Sequence, residues 1–163
     1  MRYMKLNRQD RQALVGRLAG MPDFLEFTFS QLDTADAARQ GQHGEPSPVE
    51  QCWHLADLER EGYGVRIRRL LEETNPVLPD FDGHQIALER NYRTRPLQDA
   101  ILAFREARAA NLSALRQLEA GDWLRGGVQE GVGPVALCDI PDMMDQHDEA
   151  HRTEIEAWVR DLR

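Results

Sequence analysis

The chain has 163 residues, with 28 acidic and 20 basic side chains and a formal net charge of −8 when its histidines are neutral. That length fits a single domain over residues 1–163, able to bury roughly 70% of its unfolded surface, so the core needs neither a disulfide nor a structural metal. Its 41% hydrophobic and 29% charged content excludes whole-chain disorder, and the acidic balance with no Lys/Arg stripe argues against nucleic-acid binding.

The opening MRYMKLNRQDRQ has no apolar signal region, and no stretch is apolar enough to span a membrane, so the expected setting is cytoplasmic. Four helical patterns follow, punctuated by Pro and Gly. The first covers about Asn7 to Asp33, with Leu14, Leu18, Met21, Leu25, Phe29 and Leu32 on one face and Gly20 and Pro22 as candidate kinks. After the polar segment DAARQGQHGEPS, Ser47-Pro48-Val49-Glu50 forms a capping box that starts a second helix at Pro48. This helix reaches Glu72, with Leu55, Leu58, Gly62 and Val65 on one stripe. The segment Glu73–Arg95 is too long for an ordinary bundle connection and reads as a crossover with a short helix from Gly83 to Tyr92. A third helix runs from Pro96 to about Ala120, followed by a glycine-rich loop from Gly121 to Pro134. The fourth begins near Asp139 and reaches the C-terminus. The fold class is therefore all-α, a four-helix bundle with a long crossover between helices two and three.

Function is sought where polar side chains interrupt an apolar stripe, because burial obliges each to find a partner. On the fourth helix His147, His151 and Glu154 fall among Ile140, Met143, Met144, Ile155, Trp158 and Leu162. His147 and His151 stand one turn apart, a spacing that lets two imidazoles share a cation, and the second helix supplies His54 as a candidate third. Beside His54 lie Glu50, Asp57 and Glu61, candidates for orienting the rings or for acid/base work. The rival reading is a hydrogen-bonded core histidine pair. His147-Asp148-Glu149-Ala150-His151 is not HExxH, which argues against a zincin-type protease.

Arg108, between Phe104 and Leu112, requires an anionic partner, and Glu154 is the candidate for an internal ion pair. His43 and His84 lie in polar connections and read as solvated. The run Arg66, Arg68, Arg69 reads as a solvated face, while Cys52 and Cys138, in no CxxC pattern, read as small apolar groups.

Taken in order, Ser47-Pro48-Val49-Glu50, Trp53-His54-Leu55-Ala56-Asp57, Arg66-Ile67-Arg68-Arg69-Leu70-Leu71, Asn75-Pro76, Phe81-Asp82, Phe104-Arg105-Glu106-Ala107-Arg108, Asp122-Trp123 and His147-Asp148 with His151 give the chain its likeness. Over about residues 8 to 160 it resembles the DinB-like (YfiT-like) metal-binding four-helix bundles. The resemblance implies an up-down-down-up bundle, a divalent metal on His54, His147 and His151, and a homodimer. It also implies either thiol-dependent transfer with a glutathione-like low-molecular-weight thiol or metal-dependent hydrolysis of a small molecule. The competing class is a non-catalytic metal-binding or structural bundle. Glu154 departs from the glutamine that the resemblance leads one to expect, which admits an extra ligand or a tighter Arg108 pair. Zinc, nickel and iron all suit a three-imidazole site.

Overall fold

The computed structural model describes residues 2–162; Met1 and Arg163, the ends of the expected domain, lie outside them. A short α1 (Arg2–Lys5) precedes α2 (Arg8–Phe29), whose first turn is capped by the Asn7 side chain. α2 runs through Gly20 and Pro22 without a break, and it ends at Phe29 rather than Asp33. A separate turn of helix, α3 (Thr34–Ala37), is capped by Asp33. The capping box at Ser47 and Glu50 starts α4 (Pro48–Asp57), with Pro48 in the first turn.

The helix does not continue as an ordinary α-helix to Glu72. A π-helical segment, Leu58–Tyr63, intervenes before α5 (Gly64–Glu72). The Glu59 carbonyl accepts from the Gly64 amide, five residues on, and from Asn111 Nδ2 at 2.9 Å. A side chain at Gly64 would press on that carbonyl and on Asn111, so glycine keeps the widened turn closed. The wider turn rotates everything after it. Val65, expected on the buried stripe, is only half-buried, whereas Arg66 and Ile67 are buried.

The crossover contains β1 (Val77–Leu78) and α6 (Gly83–Arg90) and leads to α7 (Leu97–Arg116). The expected glycine-rich loop instead holds β2 (Gly126–Gln129) and β3 (Gly133–Ala136). These pair antiparallel, and β1 adds parallel to β2. Gly127 permits the join, since a Cβ there would lie 2.6 Å from the Pro76 carbonyl oxygen. Finally α8 (Ile140–Leu162) carries Pro141 in its first turn, where the missing N–H costs nothing.

Cross-helix pairs fix the topology. Arg17 meets Asp145 and Phe29 meets Trp158, so α2 and α8 run the same way. Gln51 meets Glu154 and Tyr63 meets Met143, so the α4–π–α5 run opposes α8. Arg108 meets the Leu18 carbonyl and Arg105 meets Glu26, so α7 opposes α2. The bundle is up-down-down-up, with α2 and the second helical run each packed against both α7 and α8. Its core forms two apolar clusters, one around Phe29, Trp53, Phe104 and Trp158 and the other around Leu14, Ile67, Leu112 and Met144. In sequence Arg108, His147, Asp148 and His151 fall between residues of the two clusters, and Arg108 meets Glu59 there, which makes the middle of the bundle its polar layer.

Candidate metal centre

His54 from α4 and His147 and His151 from α8 meet in this layer, half-buried, each offering a ring nitrogen within 4.8 Å of the others. His147 Nε2 and His151 Nε2 lie 3.2 Å apart. Two zinc–imidazole bonds of about 2.0–2.1 Å at a tetrahedral angle would set their nitrogens about 3.3–3.4 Å apart, so this spacing fits one shared cation. The ring centroids are 4.4 Å apart for this pair, and 5.5 and 4.9 Å from His54 to His147 and His151. The backbone of Gly83, at the start of α6, lies over His54 so closely that a Cβ there would approach Cε1 to 2.7 Å. Phe81 stands against the same ring.

Burial is the largest cause depressing the basicity of all three imidazoles; with the positive charge of His54, Arg108 and Arg66 it brings His147 down to about 4, and with that of His147 and His54 it brings His151 to about 3. The rings are therefore neutral near pH 7, with the lone pairs a cation requires. One consequence concerns the metal-free chain. Below the ordinary value of 6.5 the unfolded chain takes up protons at these sites, while the native chain resists until about 4 and 3. Native stability is thus expected to fall as pH drops through that window. Thermal melts between about pH 6.5 and pH 4 should show a shallower fall for His151→Gln than for wild type; equal slopes would contradict the assignment.

A residue that sequence reasoning missed orients His151. Gln51 Oε1 lies 2.5 Å from His151 Nδ1, and Gln51 Nε2 donates to Glu154 Oε2 at 2.8 Å. The amide oxygen can only accept, so His151 carries its proton on Nδ1 and turns the Nε2 lone pair to His147. A signal existed, because Gln51 sits one turn before His54. Gln51→Leu is expected to weaken metal binding about 10–100-fold with the fold retained, read by competition with a chromophoric chelator.

The expected Arg108–Glu154 ion pair is not formed. Arg108 donates from both terminal nitrogens to Asp148 at 2.7 and 2.8 Å, to Glu59 Oε1 at 2.9 Å and to the Leu18 carbonyl at 2.8 Å. Burial opposes its charge, but the two carboxylates outweigh burial and hold the guanidinium protonated. Glu154 is half exposed and bound to Gln51 behind His151, so it completes neither this pair nor the ligand set. Arg66 is buried rather than solvated.

Glu50, Asp57 and Glu61 make no hydrogen bond to a histidine ring. Glu50 accepts from Ser47. Asp57 is buried, which would raise its pKa, but bonds from Tyr92, Arg60 and Arg90 outweigh burial and hold it below the usual carboxylate value. Glu61 takes both terminal nitrogens of Arg90. Through Arg90, at the end of α6, these carboxylates clamp the crossover against the second helical run and keep Gly83 over His54. His84 is exposed; His43, also exposed, stands near Glu45 and Asp161, where a second group of ligand atoms comes together. Cys52 and Cys138 are buried and free, and burial pushes both thiols up, away from nucleophilic use. Among the described residues no helix is long and apolar enough to cross a membrane.

No curated protein matches this chain in sequence at a significant level. Among solved structures, YfiT from Bacillus subtilis superposes with a TM-score of 0.86 at 16% identity, over 96% of this chain and 90% of that one. It is described as "a probable metal-dependent hydrolase with an unusual four-helix bundle topology". At that identity the likeness concerns the fold, and the topology is the one traced above. The sequence profile of the DinB superfamily matches residues 8–155, a span that holds all three histidines, and on that match the chain belongs to the DinB superfamily.

Proposed function

We propose that the chain binds one divalent metal ion, zinc, nickel or iron, through His54, His147 and His151 and uses it as a thiol-dependent transferase acting on a small molecule. The observation that carries the choice of transfer is the state of the neighbouring side chains. Asp57 is held by Arg60, Arg90 and Tyr92, Glu61 by Arg90, Glu154 is bound to Gln51, and both cysteines are buried thiols. A thiol is intrinsically far more acidic than water, so the lack of a free base among these side chains weighs more on hydrolysis than on thiol transfer. A bound divalent metal supplies Lewis acidity, which lowers the pKa of a thiol or water held beside it.

The protein's own part is to aim and shelter. Gln51 fixes the tautomer of His151, and the Asp57–Arg90–Glu61 clamp holds Phe81 and Gly83 against His54. Tyr63, whose phenol is kept protonated by burial and donates to the Met143 carbonyl at 3.4 Å, stands edge-on to His147. The thiol gives its proton to solvent, its sulfur bonds to an electrophilic carbon, and the leaving group departs with the electron pair. Hydrolysis is the second reading, favoured by the description of the fold neighbour. The cytoplasmic homodimer implied by the resemblance belongs to the same proposal. Cobalt-loaded protein titrated with 2-mercaptoethanol tests it: a sulfur-to-cobalt charge-transfer band supports thiol transfer, while no band together with ester hydrolysis favours the second reading.

A further inference from the structure

Five aspartate, glutamate and arginine side chains are buried among the described residues, and four of them have an opposite charge at salt-bridge distance. Asp57 has Arg60 and Arg90, while Glu59 and Asp148 share Arg108. Arg66 is the exception. It is 5% exposed, its Nε has no hydrogen-bond partner, and no described residue forms an ion pair with it. Its neighbours are the Tyr63 ring, 5.4 Å from Cζ to the centroid, and more distantly the charge of exposed Asp80. A guanidinium whose Nε is closed off from water and which has no carboxylate beside it is costly, and a fold retains one readily when something else supplies the anion.

The position of Arg66 says what that anion belongs to. Tyr63 is shared between the two sites, because its ring centroid is also 6.3 Å from that of His147, set edge-on. The π-helical segment creates this arrangement, since its widened turn brings Tyr63 and Arg66 inward on the same face as His54.

We propose that Arg66 receives a carboxylate of the substrate handled at the three-histidine centre, making that substrate an anionic small molecule whose reacting atom lies on the far side of the Tyr63 ring. A carboxylate is the matching anion because its two oxygens fit two parallel N–H groups of a guanidinium, and among the described residues no side chain or carbonyl takes the terminal nitrogens of Arg66. This inference rests on the proposed reading that the centre acts on a small molecule.

The test uses the full cobalt-loaded chain and two probes that differ in one group, 3-mercaptopropionate and 2-mercaptoethanol. Wild type is expected to bind the carboxylate-bearing thiol about tenfold or more tightly. In Arg66→Met that preference should vanish while 2-mercaptoethanol binds as before, and Arg66→Lys should keep part of it. Equal affinities in wild type, or a preference that survives in Arg66→Met, would overturn the proposal. A purely structural arginine would lower the melting temperature of Arg66→Met without altering selectivity. Failure of both thiols to ligate in wild type would instead count against thiol transfer, and the carboxylate site is then read separately. Succinate titrated into the wild-type chain should shift the Arg66 Nε–H resonance to saturation, and an unmoved resonance overturns it. The same titration decides the matter where Arg66→Met does not fold.

Discussion

Arg108→Met is expected to destabilise the chain by about 3–5 kcal/mol, the largest stability loss of any single change considered. Arg108 is the cation between two buried carboxylates, Glu59 and Asp148, and it also holds the Leu18 carbonyl, so it ties α2, the second helical run, α7 and α8 together in one layer. Removing it strands both carboxylates away from water, and that desolvation penalty, rather than the net value of the ion pairs, sets the size of the effect. Urea unfolding at pH 7 measures it directly, through a lower midpoint with an unchanged slope. A second change, Asp148→Leu in the Arg108→Met background, should recover part of the loss by removing one stranded charge. A midpoint equal to wild type in the single variant would contradict the network.

His147→Ala should act oppositely, leaving the fold and removing function. Two imidazoles would remain where three converge, and metal affinity should drop by more than the about 100-fold at the upper end for an outer partner such as Gln51. Helical circular dichroism should stay near wild type, because the deleted ring is neutral, half-buried and bonded only to His151. Stoichiometric metal retained by His147→Ala would remove His147 from the ligand set.

The helices and the histidine triad were legible in the sequence because each rests on local signals: the Ser47/Glu50 capping box, the Pro and Gly breaks, and ring spacing on one face of a helix. Asp148 was legible in principle, since Met144, Asp148 and Ile155 share a stripe, but α8 is flanked by both α2 and the second helical run and its buried arc is wider than one stripe shows. Arg66 and Glu59 were passed over because the stripe through Leu55, Leu58 and Gly62 takes in Val65 at about 100° per residue. The turn closed by Gly64 and Asn111 moves Arg66 into the place of Val65. The small sheet was hidden for another reason. Strands of two to four residues, glycine-rich and joined through a Gly131–Gly133 turn with positive φ, show no alternation long enough to read.

The central claim is that His54, His147 and His151 form one metal site. Elemental analysis of untagged protein, followed by titration of the metal-free chain with Zn²⁺, Ni²⁺ and Fe²⁺, tests it most directly when wild type and His54→Ala are run side by side. The account predicts about one ion per chain in wild type and its loss in His54→Ala, as three converging neutral imidazoles require. No tight binding of any of the three ions to wild type, or full occupancy in His54→Ala, would contradict it.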